Sequence, residues 1–238
     1  MTHKAALAAA VLMAVGGPAL AQGVTGGQLS IEYNAPTDGS DFGGTTYSGG
    51  LEYAITRQIS VGVDATGFNP TNLSIEGTNV TLHGTYHLSD TASAGLFYGR
   101  DSLEGADDTA TVYGIEGGTE LMGGEVAGYL GKSDEDDGGA TLFGVSGSYD
   151  LTPEIALIGG FDLLSLDSDV SVSRTTIGAE YRMLNGPQLY AHIGQVGAEV
   201  GTLAGDQTFI GVGARVAFGA ARGTTFDGRS TLSAVAGF

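Results

Sequence analysis

From Gly27 to Phe218 the apolar residues recur at every second position. Leu29, Ile31 and Tyr33 alternate with Ser30, Glu32 and Asn34, and Ile59, Val61, Val63 and Ala65 with Ser60, Gly62, Asp64 and Thr66. Val80, Leu82, Gly84, Tyr86 and Leu88 alternate with Thr81, His83, Thr85 and His87. Near the end, Ile210, Val212, Ala214, Val216 and Phe218 alternate with Gly211, Gly213, Arg215 and Ala217. A period of two puts successive side chains on opposite faces of an extended strand, so each run has one greasy face and one small or polar face. The pattern predicts twelve strands, at about 27–35, 45–56, 58–68, 77–88, 92–100, 110–121, 124–132, 140–151, 154–164, 172–183, 188–196 and 208–218. Evenly spaced strands with turn signals between them indicate an all-β sandwich or barrel.

The connections decide between the two. Those at Thr56-Arg57-Gln58, Ser89-Asp90-Thr91, Met122-Gly123-Gly124, Leu151 to Glu154 and Asn185-Gly186-Pro187 are tight. Between them the pattern leaves longer, acidic stretches: Ala35 to Gly44, Asn69 to Glu76, Asp101 to Thr109, Ser133 to Gly139, Ser165 to Ser171 and Gly197 to Gln207. A strict short–long alternation predicts a transmembrane antiparallel up-and-down β-barrel with an even count of strands (ten to fourteen, about twelve), short turns on the periplasmic side and longer loops outside. A soluble sandwich has no reason to keep it.

The aromatic residues add a second signal. Tyr53, Tyr86, Tyr149, Tyr181 and Phe218 fall near the rim assigned to the periplasm, and Tyr33, Tyr47, Phe68, Tyr98 and Phe161 near the opposite one. Rings with an apolar body and a polar tip favour the headgroup level, so two belts are expected. A preference of Tyr and Phe for strands explains their number but not their clustering at strand ends.

Composition agrees. Of 238 residues 42 are Gly, without a G-X-Y period, and only 15% are charged, against roughly 25% in ordinary soluble domains. There is no Cys, which excludes a disulfide framework and thiolate metal sites. Nine basic against 27 acidic residues leave a formal charge of −18 and exclude nucleic acid as a partner, since phosphate binding needs a basic footprint.

The chain begins as an address. Lys4, the apolar run Ala5 to Val15, Gly16-Gly17-Pro18 and the small-residue site Ala19-Leu20-Ala21 have the layout of a secretory signal peptide over 1–21. The apolar run is shorter than the ~20 residues of a membrane helix. Its removal leaves eight basic and 27 acidic residues, a charge of −19, in a barrel domain of 22–218 followed by a tail of 219–238.

On these features the chain resembles the outer-membrane β-barrel proteins of Gram-negative bacteria, and among them the small porin-like proteins of alphaproteobacteria. Carrying the resemblance are the signal peptide, strand–turn units such as Ala140-Thr-Leu-Phe-Gly-Val-Ser-Gly-Ser-Tyr-Asp-Leu-Thr-Pro153, and the last strand Gly213-Ala-Arg-Val-Ala-Phe218. It implies an outer-membrane location, contact with lipid and lipopolysaccharide, recognition of the aromatic-terminated last strand by the barrel-assembly machinery, and passage of small hydrophilic solutes. Family members stop at the terminal aromatic, whereas here Gly219 to Phe238 follow and again end in Phe. That tail is a periplasmic extension, a lumen plug or the assembly signal itself.

With the apolar face outward, the predicted pore-lining charges are Glu32, Glu52, Asp64, Glu116, Asp162, Arg174, Glu180, Arg182 and Arg215, with Glu120, Glu125, His83 and His192 also inward. The porins this chain resembles set basic and acidic sectors across the narrowest section, and rings of charge select ions. A twelve-strand bore lies between filled eight-strand barrels and open sixteen-strand porins, so the same charges can equally form a polar plug. Inward Gly62, Gly95, Gly114, Gly144, Gly160, Gly178, Gly194, Gly211 and Gly213 predict the open version. The 15 carboxylates in the predicted outer loops make a negative mouth and predict a weak preference for cations.

Other chemistry is poorly supported. Asp38 to Asp41, Asp134 to Asp137 and Asp167 to Asp169 offer oxygen ligands for calcium but none has the twelve-residue loop with its Gly and Glu. His83, His87 and His192 are too dispersed for zinc, so neither a metal nor a cofactor is expected. His87-Leu88-Ser89 has the His-x-Ser spacing of lipid A deacylases, but at the rim opposite to where those enzymes work. No G-x-S-x-G elbow or phosphate-binding loop occurs. The expectation is a non-enzymatic channel, with a non-conducting barrel serving adhesion or envelope structure as the alternative and oligomeric state left open.

Overall fold

The computed structural model describes residues 23–39, 43–71, 76–105, 109–135, 138–166, 170–184, 186–219 and 224–234. The signal-peptide expectation for 1–21 lies outside them. Twelve strands follow in order: β1 (Gly23–Pro36), β2 (Gly44–Ala54), β3 (Ile59–Pro70), β4 (Gly77–His87), β5 (Ala92–Leu103), β6 (Thr109–Leu121), β7 (Gly124–Glu135), β8 (Gly138–Asp150), β9 (Ile155–Leu166), β10 (Val170–Arg182), β11 (Gln188–Val200) and β12 (Leu203–Gly219). Every strand pairs antiparallel with its neighbours in sequence, and β1 pairs with β12 to close the barrel. The closing ladder sets Leu29 beside Val216 and Ser30 beside Arg215, so the outward and inward faces stay in phase across the seam. Closure leaves no sheet edge, which in hydrocarbon would strand unpaired backbone groups.

Burial is inverted relative to a globular domain. Leu82, Leu96, Ile115, Leu130, Ile177 and Ile210 are each more than half exposed on the outer wall. Ser60, Thr81 and Asn79 inside are 0%, 0% and 1% exposed. Tyr33 and Tyr47 stand on the outer face towards the far rim, Tyr53, Tyr86, Tyr149 and Tyr181 towards the rim of the chain ends, and Tyr98, expected in the far belt, lies at mid-height beside Leu82. Phe218 points outward and lies over Gly27, where a Cβ would meet its ring at 2.6 Å. Below the lower tyrosines comes an aliphatic step: Tyr53-Ala-Ile55, Tyr86-His-Leu88, Tyr149-Asp-Leu151 and Tyr181-Arg-Met183 repeat one Tyr-x-aliphatic pattern as the strands enter their turns. Phe68 departs from the expected belt. It shares the inward parity of Asp64 and Thr66 and is 4% exposed within the barrel.

The loop rhythm also departs from expectation at the far rim. Residues 197–207, expected as a loop, are mostly ladder: Gly197 pairs with Asp206 and Val200 with Leu203, around a two-residue turn at Gly201-Thr202. Gly201 adopts φ 61°, the left-handed conformation such a turn needs. Likewise Glu135 pairs with Gly138, so β7 and β8 are almost continuous. Alternation reports two different environments on the two faces. Where both faces meet water the pattern fades, while backbone pairing continues.

Candidate functional site

The interior is occupied by the chain's own C-terminal segment. Beyond β12, residues 224–234 climb the lumen from the rim of the chain ends to the far rim. Thr224 packs on Gly118 near the lower end of β6, and Phe226 stacks 6.5 Å from the His83 ring at mid-height. Arg229, Ser230 and Thr231 lie against the upper ends of β4 and β5. The segment ends in a short 3-10 turn (Leu232–Ala234), with Ala234 packed among Val112, Ala140, Leu142 and Leu164.

Its attachment is polar and specific. Asp101 accepts four hydrogen bonds: from Asn79 Nδ2 at 2.6 Å, Ser230 Oγ at 2.8 Å, and the Thr231 amide and hydroxyl at 2.7 Å each. The Arg229 carbonyl accepts from Asn79 Nδ2 at 2.8 Å, and its amide donates to Thr81 Oγ1 at 3.0 Å. The Arg229 guanidinium meets Glu116 Oε2 at 3.1 Å and lies 4.4 Å above the Tyr129 ring. Glu116, with no exposed side-chain surface, also meets His83 Nδ1 at 2.6 Å, and His83 Nε2 reaches Asp64 Oδ2 at 3.3 Å. One chain of charge thus runs Asp64, His83, Glu116, Arg229 along the β3–β6 wall. A buried carboxylate is tolerable only when its lone pairs are satisfied, as Asp101 and Glu116 are.

Asp101 was expected in an outer loop. It belongs to β5 and faces inward, 2% exposed. Its signal was legible in the period: Ser93, Gly95, Phe97 and Gly99 are inward, and the next step of two is Asp101. For Arg229 no sequence signal existed, since its tail carries no strand pattern.

The opposite wall keeps space. A cavity of about 440 Å³ is bordered by Glu32, Asp162, Arg174, Glu180, Arg182 and Arg215, together with Glu125, His192 and the tail's Asp227. All nine residues predicted to line the bore point inwards, though not as bare acidic and basic sectors. Arg174 meets Glu32 at 3.3 Å, donates to the Ser233 carbonyl at 3.2 Å and lies 5.1 Å above Phe209. Arg182 spans Glu180 at 2.8 Å and Asp150 at 2.6 Å. Asp162 accepts from Tyr129 Oη at 2.8 Å, Glu52 from Thr25 Oγ1 at 2.6 Å, and Arg215 lies 5.7 Å from the Tyr190 ring. Asp64 and Glu116 sit on the tail's side.

The expectation that inward glycines hold the bore open is corrected at Gly144, Gly194, Gly211 and Gly213, while Gly160 borders the cavity. At Gly194 a Cβ would stand 2.3 Å from Phe209, at Gly213 2.3 Å from Tyr190, at Gly144 2.1 Å from Tyr129 and at Gly211 2.2 Å from His192. Rings from neighbouring strands lie over these positions, so the space left by a missing side chain is filled. Gly99 and Gly118 serve the tail in the same way, at 3.2 Å from the Arg229 carbonyl and 2.7 Å from Thr224 Oγ1.

The remaining candidates are simpler. His87 is buried between Ser60 Oγ at 2.9 Å and Ser93 Oγ at 3.0 Å, while Ser89 pairs with Thr91. His87 and Ser89 are therefore not coupled as base and nucleophile. Of the acidic runs, Asp38 accepts from Gln207 and Asp134 from Tyr113. Asp41, Asp136, Asp137, Asp167 and Asp169 lie outside the described residues.

No protein-family model matches the chain, and no curated protein matches it in sequence. Solved structures do match. The NanC porin superposes with a TM-score of 0.61 at 8% identity, covering 78% of this chain and 98% of that one. An outer-membrane channel from Pseudomonas putida F1 gives 0.59 at 13% identity over 84% and 97%, and the KdgM porin 0.57 at 11% over 80% and 99%. At such identities the likeness is one of fold, and the fold is that of outer-membrane porin barrels.

Proposed function

We propose that this protein is a porin-like channel of the Gram-negative outer membrane, of the small alphaproteobacterial type, passing small hydrophilic solutes and ions down their gradients. The cavity of about 440 Å³ along β7–β12 and β1 carries the reading, because it leaves polar, charged space beside the tail. The outer wall, apolar between two tiers of aromatic residues, supports insertion in lipid, with the rim of the chain ends on the periplasmic side. Lipopolysaccharide at the outer leaflet and the barrel-assembly machinery during biogenesis are the partners in this reading. No covalent step is needed. Glu32, Glu125, Asp162, Glu180 and Asp227 against Arg174, Arg182 and Arg215 give the passage an excess of negative groups, which supports a weak cation preference.

The second reading is a non-conducting barrel serving adhesion or envelope structure. The buried network that holds the tail favours it. Single-channel recording of the refolded mature protein in planar bilayers under a KCl gradient separates the two. Discrete steps with a cation-leaning reversal potential are expected. Silence from folded, inserted protein would overturn the channel.

A further inference from the structure

We propose that residues 224–234 are a latched, displaceable plug, held by a peptide-binding site on the inner wall of β4–β6 whose key residue is Asp101, and that release of the latch widens the passage. The inference rests on the channel reading above.

Four observations carry it. The barrel closes through β1 and β12 without any contribution from the segment, so the wall is complete when the segment leaves. The segment adds no strand; side-chain and backbone hydrogen bonds to Asp101, Asn79 and Thr81 hold it. Those bonds are concentrated on Arg229, Ser230 and Thr231, and a single carboxylate receives three of them from the segment. The wall is cut to receive the segment. A Cβ at Gly99 would stand 3.2 Å from the Arg229 carbonyl, one at Gly118 2.7 Å from Thr224 Oγ1, and one at Gly77 2.8 Å from Leu232 Cδ1. The ligand of this site is thus a short Arg-Ser-Thr-Leu peptide, supplied in cis.

The test compares wild type with Asp101→Ala, both as full chains refolded into the same lipid, by two independent readouts. Trypsin cleavage after Arg229 reports release, because that bond lies inside a bore too narrow for a protease. Conductance reports the passage. Cleavage is expected to be roughly tenfold faster or more in Asp101→Ala, the factor that follows from losing even one hydrogen bond to a charged group, and its conductance steps are expected to be larger. Because the chain has no Cys, Gly77→Cys with Leu232→Cys supplies a lock: the oxidised pair in the Asp101→Ala background should restore slow cleavage and small steps, and reduction should reverse both. Should Asp101→Ala fail to fold, the same pair in the wild-type background decides, with cleavage faster after reduction than before. Equal cleavage in the compared forms, or equal steps despite cleavage, would overturn the plug. Faster cleavage without steps from either protein would overturn the channel itself and leave the latch with no gating role.

Discussion

Two glycines on the inner face should respond to the same substitution with opposite signs. At Gly213 a new Cβ would stand 2.3 Å from Tyr190 Cζ and 2.5 Å from its hydroxyl. Ordinary carbon contacts need about 3.5 Å, so the ring must move by about 1.2 Å. It borders the 440 Å³ cavity beside Arg215, so it moves into that space and its 5.7 Å contact with the Arg215 guanidinium is disturbed. Overpacking of this kind costs about 1–3 kcal/mol, and the weakened cation–π contact about 0.5–1 kcal/mol. Replacing Gly by Ala in a strand returns about 0.5–1 kcal/mol. Gly213→Ala should therefore lose about 0.5–3.5 kcal/mol. At Gly62 the nearest atom is His83 Cβ at 3.4 Å, an ordinary contact, so the backbone gain should prevail and Gly62→Ala should gain about 0.5 kcal/mol. Urea unfolding in detergent micelles, followed by gel mobility without boiling, measures both. In a Tyr190→Ala background the Gly213→Ala effect should turn stabilising, since the ring that it displaces is gone. Equal effects at the two glycines, or a Gly213→Ala penalty that survives Tyr190→Ala, would refute the claim that rings fill the glycine positions.

Other substitutions probe the wall and the passage. Leu82→Arg, mid-height on the outer face, should cost about 2–4 kcal/mol in lipid, whereas Arg at Asp90 in the turn should cost little; equal costs would place the apolar band elsewhere. Tyr129→Phe removes the donor to Asp162 and should destabilise the barrel by about 1.5–3 kcal/mol, as read by the same urea titration. Arg215→Met removes a cation from the passage and should move the reversal potential in a KCl gradient further towards cations, with Glu180→Gln moving it back. His87→Ala should lose stability through its bonds to Ser60 and Ser93 but leave conductance unchanged, because it lies outside the cavity lining.

The twelve strands, their order around the barrel and the facing of most side chains are legible in the sequence, Phe68 being an exception that turns inward. Period two is written directly into residue polarity wherever one face meets lipid and the other does not. The inward positions of Glu32, Asp162, Arg174 and Arg215 follow from parity alone, and the inward turn of Asp101 lies one period beyond Gly99. The far-rim loops were overestimated for the complementary reason: beyond the apolar band both faces are wet, and polarity stops marking the strand.

What sequence could not supply was any contact between elements with no common period. Tyr190 over Gly213 and Phe209 over Gly194 depend on the lateral register of neighbouring strands, which brings a ring on one strand over a missing side chain on the next. The tail depends on still more. Arg229 and Asp101 are 128 positions apart, and nothing in Thr224 to Ala234 alternates strongly enough to announce where it docks. Local polarity determined the wall, because each residue of a strand answers to its own face of the sheet. Only the closed barrel decided what fills the wall, because a lumen and the segment within it exist only once β1 has met β12.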